Sequence, residues 1–547
     1  MKIQKIENAL RKFFSYSLFI IPSFFFFLIY LVDFSQVILN DDYTDHSLGH
    51  ALNLEAWSKG ILQERNNYFQ YFHPGIWFQL FSWISLKFSM LFNVDLKSDR
   101  LAFFKILNDS RIFFKFSGFL AATIILIFIF GFKKILKEKK MFTESLFILS
   151  LFFINQAYIN YTFIKFSNEF FIIPIIFFAF YILSDLKKIE RNFSSQIILG
   201  VFFAFCYLNK LPYIIVYISF ISVYTGISIL SHGTVGAYFR VVFVSTISML
   251  FTSSIFLLSF FSKGIAIEIV KAHLGVFLSS GHYGSGDKNV VSIDSVISSL
   301  NFIVSSYNIF VLISVFFSLI ILLLFIFKNV SFRKSIKLLS KNSIFLVSWS
   351  LVSFVLGLMA VLKHFNDHYL IMPISCLIPG VLVAFQSLEV RKRFIFLLII
   401  FAGLSASLNK NYSDLSKSKK WYNDLSVLLK SELGNIEKKT IIYDYRFPIM
   451  EYENFFTLSV SGIPDFRKYF PEYTNTFYAT APDSLTGASR DANSDVNHIE
   501  WDYWLINDRK NDNSDSIKKI LLKSDIVKKE IAHGVILVKN LKRVASF

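Results

Sequence analysis

Apolar and polar positions in this chain fall in long blocks rather than in the short periods of a water-soluble domain. Stretches such as Phe13–Leu31, Phe113–Phe132 and Ile309–Phe327 run for about 20 residues with almost no charge, enough for a helix to cross a hydrocarbon core of ~30 Å. Taken in turn, the blocks predict spans at 13–36, 112–132, 142–158, 169–184, 194–209, 212–231, 241–262, 301–327, 343–362, 370–387 and 394–409. The expected fold class is a polytopic α-helical membrane protein with about 11 transmembrane helices.

The polar breaks orient those helices. Basic residues cluster in Lys133–Lys140, Lys187–Arg191, Arg333–Lys341 and Arg391–Arg393. With the N-terminus inside, the short inner loops hold roughly 21 Lys and Arg, and the short outer loops near 165, 210 and 363 hold about three, the asymmetry of the positive-inside rule. An odd number of spans then puts the C-terminus outside. Gly75–Phe92 is apolar enough to cross, but a crossing there would carry Lys133–Lys140 outside. It is read as a helix lying in the interface, with Trp77 and Trp83 at headgroup depth. Lys2–Lys12 followed by Phe13–Leu31 resembles a signal peptide, but the apolar run is too long and no small-residue cleavage site follows, so an uncleaved first helix is expected.

Three hydrophilic regions face outward on this topology: a first loop at 40–111, a second at 263–300 and a tail at 411–547. Residues 1–410 would form the transmembrane unit, and the tail is long enough to fold alone. Its pattern predicts helix over Asp424–Leu433 and Asp515–Lys529. Strands are expected over Thr440–Tyr445, Asp502–Ile506 and Val535–Val538, giving a small extracytoplasmic α/β domain.

Composition narrows the function classes. Of 547 residues, 54% are hydrophobic and 17% charged, against about 25% charged in soluble domains. The net charge of +17 would suit nucleic acid, but its location in loops is explained by membrane orientation, and no nucleic-acid partner is expected. Cys206 and Cys376 lie inside apolar stretches and offer neither a disulfide framework nor metal spacing.

The chemistry-bearing residues concentrate at outer helix ends. Asp41, Asp42 and Asp45 follow the first helix. Crowded carboxylates raise a pKa or recruit a cation, so the group suits a general base or a divalent ion such as Mg or Mn. The residues leave that choice open. His73 precedes Pro74 and Gly75 at the start of the interfacial helix and could meet a phosphate. Lys210 stands alone between two apolar segments, where a charge is costly and commonly functional. Lys363, His364 and His368 crowd another tight turn. The i, i+4 histidines have a zinc spacing but lack the Glu of His-Glu-x-x-His, and an anion clamp suits them better. Asn168-Glu169, at a further outer helix end, is left outside the expected site.

In order along the chain, these motifs resemble the GT-C superfamily of membrane glycosyltransferases, which includes protein O-mannosyltransferases and the lipid A aminoarabinose transferase. The acidic pair of the first outer loop is matched by Asp41-Asp42. The His-Pro-Pro-like motif is matched by His73-Pro74-Gly75, and the late Arg/His-Tyr-Leu motif by His368-Tyr369-Leu370. Asp-Asp stands where the mannosyltransferases have Asp-Glu, and Gly75 stands where the second Pro would be. The resemblance implies an inverting transferase that moves a sugar from a polyprenyl-phosphate-linked donor to a glycan, lipid or protein acceptor outside the membrane. It implies an Asp base, with Lys210, Lys363, His364, His368 and Tyr369 around the phosphate, and residence in a bacterial cytoplasmic (inner) membrane. A surface-polysaccharide polymerase or ligase, or a lipid or solute transporter, are the competing readings.

Overall fold

A computed structural model describes residues 9, 50–51, 54–55, 57–58, 75–91, 111–139, 141, 145–159, 161–162, 167–230, 235–261, 263–278, 293–330, 341–363, 367–433 and five strands between 440 and 540. Among them, seven helical segments are long and apolar enough to cross a bilayer: Phe113–Glu138, Leu211–Ile229, Val235–Phe260, Ile309–Lys328, Lys341–Leu362, His368–Ser387 and Arg391–Lys410. Asn168–Leu183, Phe193–Asn209 and Val296–Ser305 are shorter apolar helices. The chain is a helical membrane protein. The expected span at 13–36 lies outside the described residues.

Helix α1 (Ile76–Leu91) is followed by α2 (Arg111–Glu138). The stretch expected as one helix at 142–158 is instead three short pieces, α3 (Ser145–Ile148), α4 (Leu151–Ile154) and α5 (Gln156–Ile159). Asn155 causes the second break. Its backbone is extended after α4, and its Oδ1 accepts from Ala157 N–H at 3.1 Å, a local bond that competes with the helical ladder. The pieces are buried through 147–155 and sit inside the bundle.

A 3-10 turn at Asn168–Phe171 leads into α6 (Ile172–Leu183), and α7 (Leu186–Arg191) and α8 (Phe193–Asn209) follow. A second 3-10 turn, Leu211–Ile214, opens α9 (Ile215–Leu230). Next come α10 (Val235–Phe260), α11 (Lys263–Leu278), α12 (Ile293–Ser306) and α13 (Ile309–Val330). The expected span at 301–327 is thus two helices, divided at Tyr307-Asn308.

Helix α14 (Lys341–Lys363), a 3-10 turn at Asp367–Leu370 and α15 (Ile371–Ala384) form the centre. α15 is buried along almost its whole length, which is why its sequence is uniformly apolar. Two glycines let the pair close up. A Cβ at Gly357 would meet the Pro373 ring at 2.6 Å, and one at Gly380 would meet Ser350 at 2.7 Å. Beside Pro379, which has no N–H to give the ladder, Gly380 N–H donates to Ser350 Oγ at 2.8 Å.

The last helix, α16 (Val390–Leu433), is continuous for 44 residues. It merges the expected span 394–409 with the expected tail helix 424–433, so the boundary at 410/411 falls inside a helix. It stops just before Gly434, the residue type favoured after a helix C-terminus. Strands β1 (Thr440–Asp444), β2 (Thr476–Thr480), β3 (Tyr503–Asn507), β4 (Ile526–Ala532) and β5 (Val535–Asn540) form one mixed sheet in the order β2-β1-β3-β5-β4. β1 pairs in parallel with β2 and β3, while β5 pairs antiparallel with β3 and β4. Residues 526–529, expected as the end of a helix, are strand, and β2 carried no expectation. β4 packs beside α16.

The two ends of the bundle differ chemically. At one end the basic turns are stitched together. Lys139 Nζ donates to Ser184 Oγ at 2.6 Å, Leu186 N–H to Asn342 Oδ1 at 3.3 Å, and Lys341 pairs with Glu190 at 2.8 Å. Tyr224 OH also donates to Glu190, at 3.4 Å, and Arg240 donates to its carbonyl. At the other end lies a cluster of buried polar side chains.

Candidate functional site at the polar end of the bundle

The cluster begins where α8 stops. Lys210 ends that helix with an extended backbone, φ −163 and ψ 136, and Pro212 starts the next turn, where its missing N–H is tolerated. The chain therefore reverses within a few residues. Lys210 and Tyr213, whose N–H donates to Lys210 O at 2.9 Å, turn toward the 3-10 turn at 168–171. There Ser167 Oγ accepts from Glu169 N–H at 3.3 Å and fixes the turn's start.

Glu169 is the centre. Lys210 Nζ pairs with its Oε1, and Tyr213 OH donates to its Oε2. Lys210 is 4% exposed and Glu169 1%. The sequence pattern presents Lys210 as a lone charge between apolar segments, but it is one half of a buried ion pair with Glu169, which lies outside the site expected from the motifs. The only signal for Glu169 was a carboxylate at the start of an apolar helix.

Neighbouring segments converge on this pair. Asn209 carbonyl, one of the last of α8, accepts from Asn168 Nδ2 at 3.1 Å and from Gly75 N–H at 3.0 Å, satisfying an acceptor that the helix end leaves open. A Cβ at Gly75 would overlap the carbonyls of Leu208 and Asn209. Gly75 therefore ties the start of α1 to the residue before Lys210. On the other side, Lys210 Nζ lies 5.1 Å from the Tyr369 ring centroid, within cation–π range. His368 is buried, with its ring 4.8 Å from Tyr161 and 4.2 Å from Tyr369. The Asn209 side-chain amide and Asn168 Oδ1 are buried with no hydrogen-bond partner among the described residues. Buried polar atoms of that kind are uncommon and call for an explanation.

α1 is held across the same end. Trp77 packs on Phe205 and Phe256, and Phe81 on Phe170 and Phe171. Farther along, Trp83 Nε1 and Lys87 Nζ donate to the buried Glu55 at 2.8 and 2.6 Å. Below Leu208, α11 adds a second polar contact, between Tyr207 OH and His273 Nδ1 at 2.8 Å. Burial pushes the His273 imidazole down to about 4.

Of the sequence-predicted site residues, Lys210, His368 and Tyr369 meet in this cluster. Asp41, Asp42, Asp45, His73 and His364 lie outside the described residues, as does the Lys363 side chain. Among the described residues, no group of three or more His, Cys, Asp or Glu is placed to hold a metal ion. No protein-family model and no curated protein matches the chain.

Proposed function

We propose that the protein is a glycosyltransferase of GT-C type, taking its sugar from a polyprenyl-phosphate-linked donor and acting at the polar end of the bundle. One observation carries the reading. Three segments that the sequence marked separately, at Gly75, at Asn209–Tyr213 and at His368-Tyr369, meet around a buried lysine at the end opposite the basic turns. By the positive-inside rule the basic end is cytoplasmic and the cluster faces outward, where a lipid-carried donor is available and a nucleotide sugar is not. The packing of α1 across that end, with Gly75 at Asn209 and Phe81 at Phe170, fits a helix lying in the interface.

In this reading an acceptor hydroxyl oxygen attacks the anomeric carbon. The bond from that carbon to the phosphate oxygen breaks, and the lipid phosphate leaves with the electron pair. Asp41 or Asp42 takes the hydroxyl proton. Lys210, with Lys363, His364 and His368, stabilises the negative charge growing on the leaving phosphate, a contribution that depends on groups already in place. His73 and Asp45 complete the donor contacts. The sheet of β1–β5 belongs to an outward α/β domain that receives the acceptor.

The test is sugar transfer in membranes supplied with a polyprenyl-linked donor. Lys210→Gln and at least one of Asp41→Asn and Asp42→Asn are expected to lose on the order of 10²-fold or more in rate. Near-wild-type turnover in all three would sink the proposal.

A further inference from the structure

We infer that Glu169 is an internal counter-ion that a lipid phosphate must displace, so that Lys210 is offered as a cation only to an arriving donor. This rests on the proposed phosphate role of Lys210 and goes beyond it, because it assigns a competing anion to that lysine and adds two residues to the site.

Lys210 and Glu169 are both almost wholly buried. An ammonium alone in such surroundings would carry a large desolvation penalty. A buried cation meant for a ligand therefore needs a counter-ion of its own, and Glu169 supplies it. Its two carboxylate oxygens are engaged by different residues of one short segment, Oε1 by Lys210 and Oε2 by Tyr213. The Ser167 cap fixes the backbone from which the carboxylate projects. Tyr213 thus holds Glu169 independently of the lysine, and the carboxylate keeps a donor when the ammonium turns away.

The ammonium also has somewhere to go. The Tyr369 ring lies 5.1 Å from Nζ, on the turn that carries His368. A ring face stabilises a cation without neutralising its charge. Lys210 can therefore lean from Glu169 toward the His368-Tyr369 turn and meet a phosphate there. Tight packing on Glu169 lowers affinity for weak anions and favours a ligand whose lipid tail adds binding energy of its own. The substrate class this selects is a phosphate on a long apolar chain.

The experiment measures binding of farnesyl phosphate, a short prenyl phosphate, to the purified full-length chain in detergent, with thermal unfolding as the folding control. Glu169→Gln keeps the shape but removes the competing charge, and it is expected to bind about tenfold tighter than wild type. Tyr213→Phe, which takes away the donor that Glu169 keeps when the ammonium leaves, is expected to weaken binding by a few-fold. Lys210→Gln is expected to lose binding. If Lys210→Gln binds like wild type, the phosphate role itself fails. If Lys210→Gln loses binding while Glu169→Gln binds no tighter than wild type, only the counter-ion role falls. Should Glu169→Gln not fold, Tyr213→Phe decides: weaker binding supports the role, and unchanged or tighter binding overturns it.

Discussion

Gly75 and Asn209 meet backbone to backbone: the glycine N–H donates to the Asn209 carbonyl at 3.0 Å, with no room between them for a Cβ. The contact joins the segment carrying His73 to the one carrying Lys210, and backbone carbonyls cannot swing aside as a side chain can. Gly75→Ala is expected to destabilise the protein by about 1–3 kcal/mol, the usual range for forcing atoms into a packed site, and to impair transfer. The thermal unfolding midpoint in detergent checks this, and a midpoint equal to wild type would show that the two segments can part freely.

The ion pair at Glu169 and Lys210 makes an asymmetric prediction. Removing one partner of a buried pair costs about 3–5 kcal/mol, whereas exchanging the whole group for apolar side chains is often neutral. Lys210→Met alone should therefore lower the unfolding midpoint more than the triple variant Lys210→Met, Glu169→Leu, Tyr213→Phe. A triple variant less stable than Lys210→Met would mean that the pair stabilises the fold outright.

Stability should also depend on pH through His273. Burial holds its imidazole at about 4, below its usual 6.5, so between those values the unfolded chain binds the extra proton. The contribution is fully present above about pH 6.5, is lost as pH falls toward 4, and levels off below that. Unfolding of wild type and His273→Gln, followed from about pH 7 to 4.5, should show the steeper loss in wild type. Equal slopes would remove His273 from the account.

Topology can be tested without activity. Cysteines placed singly at Asn366 and Lys188 should react with a membrane-impermeant thiol reagent from opposite sides of intact cells or vesicles, position 366 from outside. Labelling of both from one side would contradict the orientation on which the proposed chemistry depends.

What the sequence disclosed followed from physical cost. Lys210 was conspicuous because a lone charge between apolar segments is expensive, and the long spans were conspicuous because lipid demands long apolar runs. Glu169 was not, because its meaning comes from a partner 41 residues away that only tertiary packing supplies. The break at Asn155 was hidden by the apolar residues around it, since a single side-chain hydrogen bond does not alter a hydropathy profile. The continuity of α16 between the expected span and the expected tail helix was missed for the opposite reason. Polar composition marks the edge of the membrane but does not stop a helix, and nothing between Gly403 and Gly434 does. Ile526–Lys529 reads as helix by its charges, yet pairs with β5 across the sheet.

That unbroken α16 has a mechanical consequence. Its apolar part ends near Lys410, and the remaining 23 residues to Leu433 extend about 34 Å as a stiff rod. A rocking of the membrane segment by about 10° would sweep the far end through about 6 Å. Rearrangements within the bundle and the placement of the sheet beside this rod are therefore geared to one another, as the two arms of a lever are.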